Sequence, residues 1–352
     1  MKNNIIIKFT FFAIVVLFPI SGCAESINGL GNSIIKIRVV DDEGQPITNA
    51  HAKIINIYDY DAPSGYTDSD GVYSRFTENI YHLSAYISKN GYYKTQGVFW
   101  KRETCGDCAY KVCTHNLTPS ADHVFTIVLK RIIDPVEMRR REVAVYVPNL
   151  DEPVGFDFEI GDLVFPDGSG KFADIMLMTS MDYVTSNDFT QFIKMEFTGE
   201  QNGIQSFSYY TKEGPTRPVK SELPPPPIAP ESGYANILER FSKCAPPSAQ
   251  ALAYKPSAWI AGKYVPPNTW TGSIVENRKW IFRTRTVLDD DGNISAANYG
   301  WTTSEIFVTT KPDSDYKTIG INFIYYYNPD SNSRSLEPKV LPSGRIGRDV
   351  YW

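Results

Sequence analysis

Apolar and polar residues alternate along much of this chain with the period of a β-strand. Ile35, Ile37 and Val39 are separated by Lys36 and Arg38, which predicts a strand with one buried face. Further strands are expected near Ala52 to Tyr58, in the turn-then-strand Thr67 to Tyr73, at His82 to Ile87 and at Val124 to Leu129. Turn chemistry separates them. Asp41 to Pro46, Asp68 to Gly71 and Lys89 to Tyr92 place Gly where positive φ is needed, beside Asp, Asn or Pro that favour turns. Short strands at this spacing predict a small antiparallel sandwich over residues 33–131.

The pattern continues across residues 132–352. Asp134-Pro135 marks the boundary, and Glu137 to Glu142 is expected to be a solvated connector. Strands are expected from Val143 to Val147, from Ala173 to Met178, through Ile193, Met195 and Phe197, from Trp280 to Val287, and across Ile306 to Thr309 and Ile319 to Tyr327. Pro166 to Gly170 and Asp289 to Asn293 read as turns. One short helix is expected at Tyr234 to Ser242, where Ile237, Leu238 and Phe241 would share a face. Glu213 to Glu231 contains Pro224 to Pro227 and should be an extended, polyproline-like surface excursion, and Pro246-Pro247 and Pro266-Pro267 mark further loops. The expected fold class is therefore all-β: a small sandwich, then a larger sandwich with long Pro-rich loops.

Composition narrows the function. Tyr (22), Phe (19), Gly (24) and Pro (24) are abundant in the 352 residues, as strands and turns require. A net charge of −5 offers no basic excess for nucleic acid. His51, His82, His115 and His123 all lie in or beside the first unit, so the second holds no His-dependent site of its own. No nucleophile elbow, zincin or Walker A motif is present, no cofactor is implied, and the chain is not expected to be an enzyme. Paired-carboxylate glycoside chemistry needs only two acids, and Asp157, Asp162, Asp167 and Asp174 are its candidates, although turns explain most of them. Trp280, Trp301, Tyr325, Tyr326 and Tyr327 could stack on sugar rings, against the commoner role of strand aromatics in a core. Asp68-x-Asp70-Gly71 opens like an EF-hand loop but lacks the closing Glu and the flanking helices, and Asp289 to Asn293 suits a hairpin tip better than calcium.

Residues 1–22 have the anatomy of an export signal, with Lys2 and Lys8 ahead of an apolar run from Phe9 to Ile20 that is short for a transmembrane helix. The run ends in Ile20-Ser21-Gly22-Cys23, which resembles the lipobox of bacterial lipoproteins. That resemblance implies cleavage before Cys23, lipid on its thiol and amino group, and an anchor in the cell envelope. Ala24 rather than Asp after the cysteine implies the outer membrane. Losing the leader leaves 33 Lys and Arg against 40 Asp and Glu, a charge of −7. In an exported protein the remaining four cysteines, Cys105, Cys108, Cys113 and Cys244, are expected to form disulfides whose pairing stays open. Cys105, Cys108 and Cys113 with His115 offer four zinc ligands, but the spacing is unlike common fingers. A redox role for Cys105-x-x-Cys108 lacks the helix it would need.

Asp41 to Ala50 (Asp-x-x-Gly-x-Pro-Ile-x-x-Ala), Thr67 to Tyr73 and Lys89 to Tyr92 together resemble the carboxypeptidase regulatory-like domain, a transthyretin-like sandwich, over about a third of the chain. Residues 100–119, with three of the cysteines, would be an insertion. The family carries no catalytic residues and serves as an accessory or docking module, so the resemblance implies a lipid-anchored, non-catalytic envelope protein with a protein or glycan partner. The alternative is a glycan-binding or glycan-processing accessory.

Overall fold

The computed structural model describes residues 33–56, 61–77, 83–99, 103–104, 112–113, 124–185, 188–208, 216–244, 258–260, 263–265, 278–304, 306–310 and 319–340. Every regular element among them is a strand. The first unit contains β1 (Ser33–Val40), β2 (His51–Asn56), β3 (Ser64–Tyr66), β4 (Val72–Thr77), β5 (Leu83–Ser88), β6 (Thr95–Phe99), the isolated pair β7 (Glu103–Thr104) and β8 (Val112–Cys113), and β9 (Val124–Val128). The second begins with β10 (Arg139–Tyr146), β11 (Val154–Asp157), β12 (Asp162–Leu163), β13 (Ile175–Thr185), β14 (Asp188–Phe197), β15 (Gly203–Ser208), β16 (Thr216–Ser221) and β17 (Ile237–Cys244). It ends with the isolated pair β18 (Ala258–Ile260) and β19 (Lys263–Val265), then β20 (Arg278–Leu288), β21 (Ile294–Thr302), β22 (Phe307–Thr310) and β23 (Ile319–Asn328).

In the first sandwich the sheet β4-β1-β9 faces the sheet β16-β6-β5-β2-β3. Ile35, Ile37 and Val39 point into a core with Ile54, Leu83, Ile87 and Ile127, as their alternation requires. Three connections share one turn. In Asp41–Gln45, Asp68–Val72 and Asp289–Asn293, the Asp Oδ1 accepts the N–H groups two and four residues on, at 2.8–3.0 Å. The Gly in each donates its N–H back to the Asp carbonyl and has φ between +73° and +79°, which a side chain rarely tolerates. Asp41, Asp68 and Asp289 are thus turn formers, and no cluster of metal-binding side chains occurs among the described residues.

The second sandwich packs β10-β23-β21-β20-β15, with β22 beside β23, against β12-β11-β13-β14-β17. Phe156, Phe158, Phe282, Phe323 and Tyr325 fill its centre, with the Phe158 and Phe282 rings stacked 4.2 Å apart. Phe282 lies across Gly300, where a Cβ would come within 2.2 Å of the ring. The larger sheet is covered on its other face too. Ile281, Tyr299, Trp301 and Tyr326 point away from that core into a separate cluster with Tyr93, Leu223, Ala229 and Leu336. This double burial explains three consecutive tyrosines, Tyr325 to Tyr327, in one strand: neither face meets water.

The same cluster fastens the two sandwiches together. β16, from the second half of the chain, pairs antiparallel with β6 and forms the edge of the first sandwich's sheet. The Pro-rich run that follows is a correction to the expected surface excursion. Leu223, Pro225, Pro227 and Ala229 are buried at the junction, alternating with more exposed neighbours. Proline carbonyls still need donors, and Lys130 supplies them: its Nζ donates to the carbonyls of Leu223, Pro224 and Pro225 at 2.9, 2.7 and 2.8 Å. Burial pushes this ammonium down to about 8, against the attraction of Asp42. Buried Glu337 accepts the N–H groups of Ile133 and Asp134, and Val136 exchanges backbone hydrogen bonds with Glu337 and Lys339, so the segment after Arg131 is pinned by the residues after β23.

Two other expectations are corrected. Residues 137–142 are not wholly a connector, because Arg139–Tyr146 is the edge strand β10, paired with β23, and charge on an edge strand discourages further pairing. Tyr234 to Ser242 is not a helix. Its Ile237–Cys244 part pairs with β14, and Leu238 points inward while Ile237 is exposed, the alternation of a strand.

Candidate functional site

β20 bends before it ends. Its register with β21 slips between Thr284 and Val287, and Arg285 sits inside the bulge with φ +53°, a left-handed conformation rarely adopted by a residue with a side chain. The bulge turns the Arg285 guanidinium toward the loops of the opposite sheet, where it meets three carboxylates. Nε donates to Asp174 Oδ1 at 2.9 Å, one NH₂ group donates to Asp157 Oδ1 at 2.9 Å and to Asp174 Oδ2 at 3.2 Å, and the other donates to Glu159 Oε2 at 2.5 Å. Arg139 pairs with the second Glu159 oxygen at 2.6 Å. The Phe172 ring covers the guanidinium at 5.2 Å.

The carboxylates are also saturated by the backbone. Asp157 Oδ1 accepts the N–H groups of Glu159 and Ile160, and Oδ2 those of Lys171 and Phe172. Burial works against its charge, but these donors and Arg285 outweigh it and hold the carboxyl below its ordinary value. Burial likewise opposes the charge on Glu159, yet Arg285 and Arg139 hold it low. Asp174 is the most enclosed: burial raises it despite Arg285 and the Phe158 N–H. Asp162 accepts from Leu163 and Ser169 and is held below its ordinary value against burial. Asp167 is exposed at the loop tip.

Of the four acids singled out in the sequence, only Asp157 and Asp174 converge, and they converge on a guanidinium. A glycosidase pair needs a protonated acid facing a free carboxylate across the sugar. Here the oxygens are spent on Arg285 and on loop backbone. The arrangement fixes the loop Asp162–Phe172, whose Phe165-Pro166 peptide is cis and whose Phe165 and Phe172 rings stand 80% and 63% exposed. No feature of the isolated sequence marked these two rings or Arg285. Arg285 reaches partners 111 and 128 residues away, and strict alternation would place it on the face of Ile281 and Arg283; the bulge alone turns it to the acids.

The aromatics expected to contact a ligand are corrected. Trp280, Trp301, Tyr325, Tyr326 and Tyr327 are all buried. Trp301 stacks on Tyr326 at 5.0 Å and donates its indole N–H to the Leu336 carbonyl at 3.0 Å, while Tyr325 donates its hydroxyl to the Phe158 carbonyl. Each ring faces one of the two clusters that cover the central sheet, so none is open to a sugar. Cys23, Cys105, Cys108, His82, His115 and His123 lie outside the described residues, as does the leader 1–22. Cys113 and Cys244 have backbone places at β8 and at the end of β17, and their side chains lie outside the description. Among the described residues, no helix is long and apolar enough to cross a membrane. The chain matches no protein-family model, and no curated protein matches it.

Proposed function

We propose that the chain is a lipid-anchored cell-envelope protein that binds a partner and has no turnover of its own. The observation that carries this reading is the fastening of the two sandwiches. β16 completes the first sheet, and Leu223 to Ala229 and Leu336 to Lys339 cross the junction. Two sandwiches joined in this way form a support that presents loops at fixed places, and the loop Asp162–Phe172, pinned by Asp157 and Asp162, carries the exposed rings of Phe165 and Phe172. The buried charge of Asp157, Asp174 and Arg285 serves that loop's shape. The lipobox-like stretch before Cys23 is the basis for anchoring, and the outer membrane is the expected destination.

The experiment has two arms. Wild-type and Cys23→Ser cells are fractionated after palmitate labelling. Label and membrane association are expected in the wild type and should be lost in the variant; an unlabelled, soluble wild type sinks the anchoring. The purified mature chain is then incubated with a panel of polysaccharides. No release of reducing ends is expected. Release that disappears on changing one carboxylate, in a variant that stays folded, would establish a glycosidase and end the binding reading. Retention on a polysaccharide without release would favour a glycan over a protein as the partner.

A further inference from the structure

The outward face of the sheet β4-β1-β9 has no covering layer among the described residues. Along β1, Ile35, Ile37 and Val39 are buried, which sends Ile34, Lys36 and Arg38 outward. The register places Phe76 opposite Ile34, and Val124 opposite Lys36. Ile34, Phe76 and Val124 are 48%, 56% and 38% exposed, and all three sit toward the end of the sheet where β1 begins. Exposed apolar side chains gathered in this way mark a contact surface.

Charge gives the face a direction. Among the described residues neither Lys36 nor Arg38 pairs with a carboxylate, and no outward position of the three strands is acidic, in a chain of net charge −5. The acids lie at the other end of the same sheet, in the turns Asp41–Glu43 and Asp68–Asp70. The eight residues of β1, at about 3.3 Å each, separate those turns from Ser33 by about 25 Å, more than two Debye lengths at physiological salt. The apolar end is also the tethered end. Cys23 precedes Ser33 by ten residues, which span at most about 36 Å.

We infer that this face lies on the membrane surface, with Ile34, Phe76 and Val124 in the headgroup region, Lys36 and Arg38 against anionic headgroups, and the acidic turns directed away. The tether in this inference rests on the lipid at Cys23, whereas the face itself does not. A short tether holds the face at roughly millimolar effective concentration, so a weak surface interaction suffices to orient the protein. Each cation near an anionic surface strengthens binding by about fivefold.

The test replaces Phe76, or Asp70 at the far end, with the photo-crosslinker p-benzoylphenylalanine in the full chain and irradiates isolated membranes. Lipid adducts are expected at the first position and not at the second. Protein adducts alone at the first position, no adduct there, or equal lipid adducts at both overturn the inference. If palmitate labelling shows that wild-type Cys23 carries no lipid, the anchoring reading fails on its own. The face is then judged by flotation of the soluble chain with vesicles of phosphatidylglycerol and phosphatidylethanolamine. Binding that weakens about 25-fold in Lys36→Ser/Arg38→Ser and is lost in Ile34→Ser/Phe76→Ser sustains it; no flotation overturns it. Unchanged thermal midpoints in these variants confirm that they are folded.

Discussion

Replacing Arg285 with methionine keeps much of the side chain's length and removes the charge that Asp157, Glu159 and Asp174 share. Asp157 and Asp174 are buried, so the variant leaves carboxylates enclosed without their cation. Breaking a buried pair from one side costs about 3–5 kcal/mol. At about 2–4 °C per kcal/mol for a unit of this size, the melting midpoint should fall by about 6–20 °C. The effect has a pH signature. In the wild type, Asp157 and Glu159 are held below their ordinary values, so their contribution is complete above about pH 5 and is lost as pH falls through the lowered values. Without Arg285, burial dominates, the carboxyls rise above their unfolded values, and the variant gains stability as they protonate. The gap between the two proteins should be widest at pH 7 and narrow toward pH 3. The backbone provides a control, because Arg285→Gly relieves the left-handed strain and should exceed Arg285→Ala in stability by about 1 kcal/mol. Guanidinium melts of all four proteins at pH 3, 5 and 7 test the reasoning. A methionine variant within 1 kcal/mol of wild type at pH 7, or an equal deficit at every pH, would refute it.

Two further outcomes are expected. Burial pushes Lys130 and Lys279 down to about 8, so between pH 8 and about 10 the unfolded chain binds more protons than the native one, and stability should rise across that window. Above it, the buried phenols of Tyr325 and Tyr327, held protonated in the native state, reverse the slope. Denaturation at pH 7, 9 and 11 measures this. Lys130→Met should flatten the rise, and a profile that falls from pH 7 to 9 contradicts the assignment. Cys105, Cys108, Cys113 and Cys244 should all resist alkylation of the native, unreduced chain by mass spectrometry, whereas four free thiols with bound zinc would show a metal site instead.

Local patterns made the fold class legible. Where a strand has one wet face, period-2 alternation survives in the sequence, as in Ile35, Ile37 and Val39 and in Ile193, Met195 and Phe197, and the structure buries both sets. The three Asp-x-x-Gly turns were equally plain, since their hydrogen bonds close within five residues. Alternation fails where both faces are dry. Tyr325 to Tyr327 fit several pictures until Leu223, Ala229 and Leu336 are seen to cover the second face. For the same reason the aromatics that looked available for a ligand proved to be core.

Sequence alone determined the half-buried strands and the short turns, because propensity, alternation and short-range hydrogen bonds act between neighbours. Tertiary structure alone decided the rest. Pro224 to Pro227 look like an exposed excursion until Lys130 is found donating to Leu223, Pro224 and Pro225 from more than 90 residues away. β16 has no sequence mark that sends it to the other sandwich's edge. Arg285 collects three acids from two places in the chain through a bulge visible only in the backbone. Burial and charge pairing depend on which segments meet, and in a sheet protein most of those meetings join residues far apart along the chain.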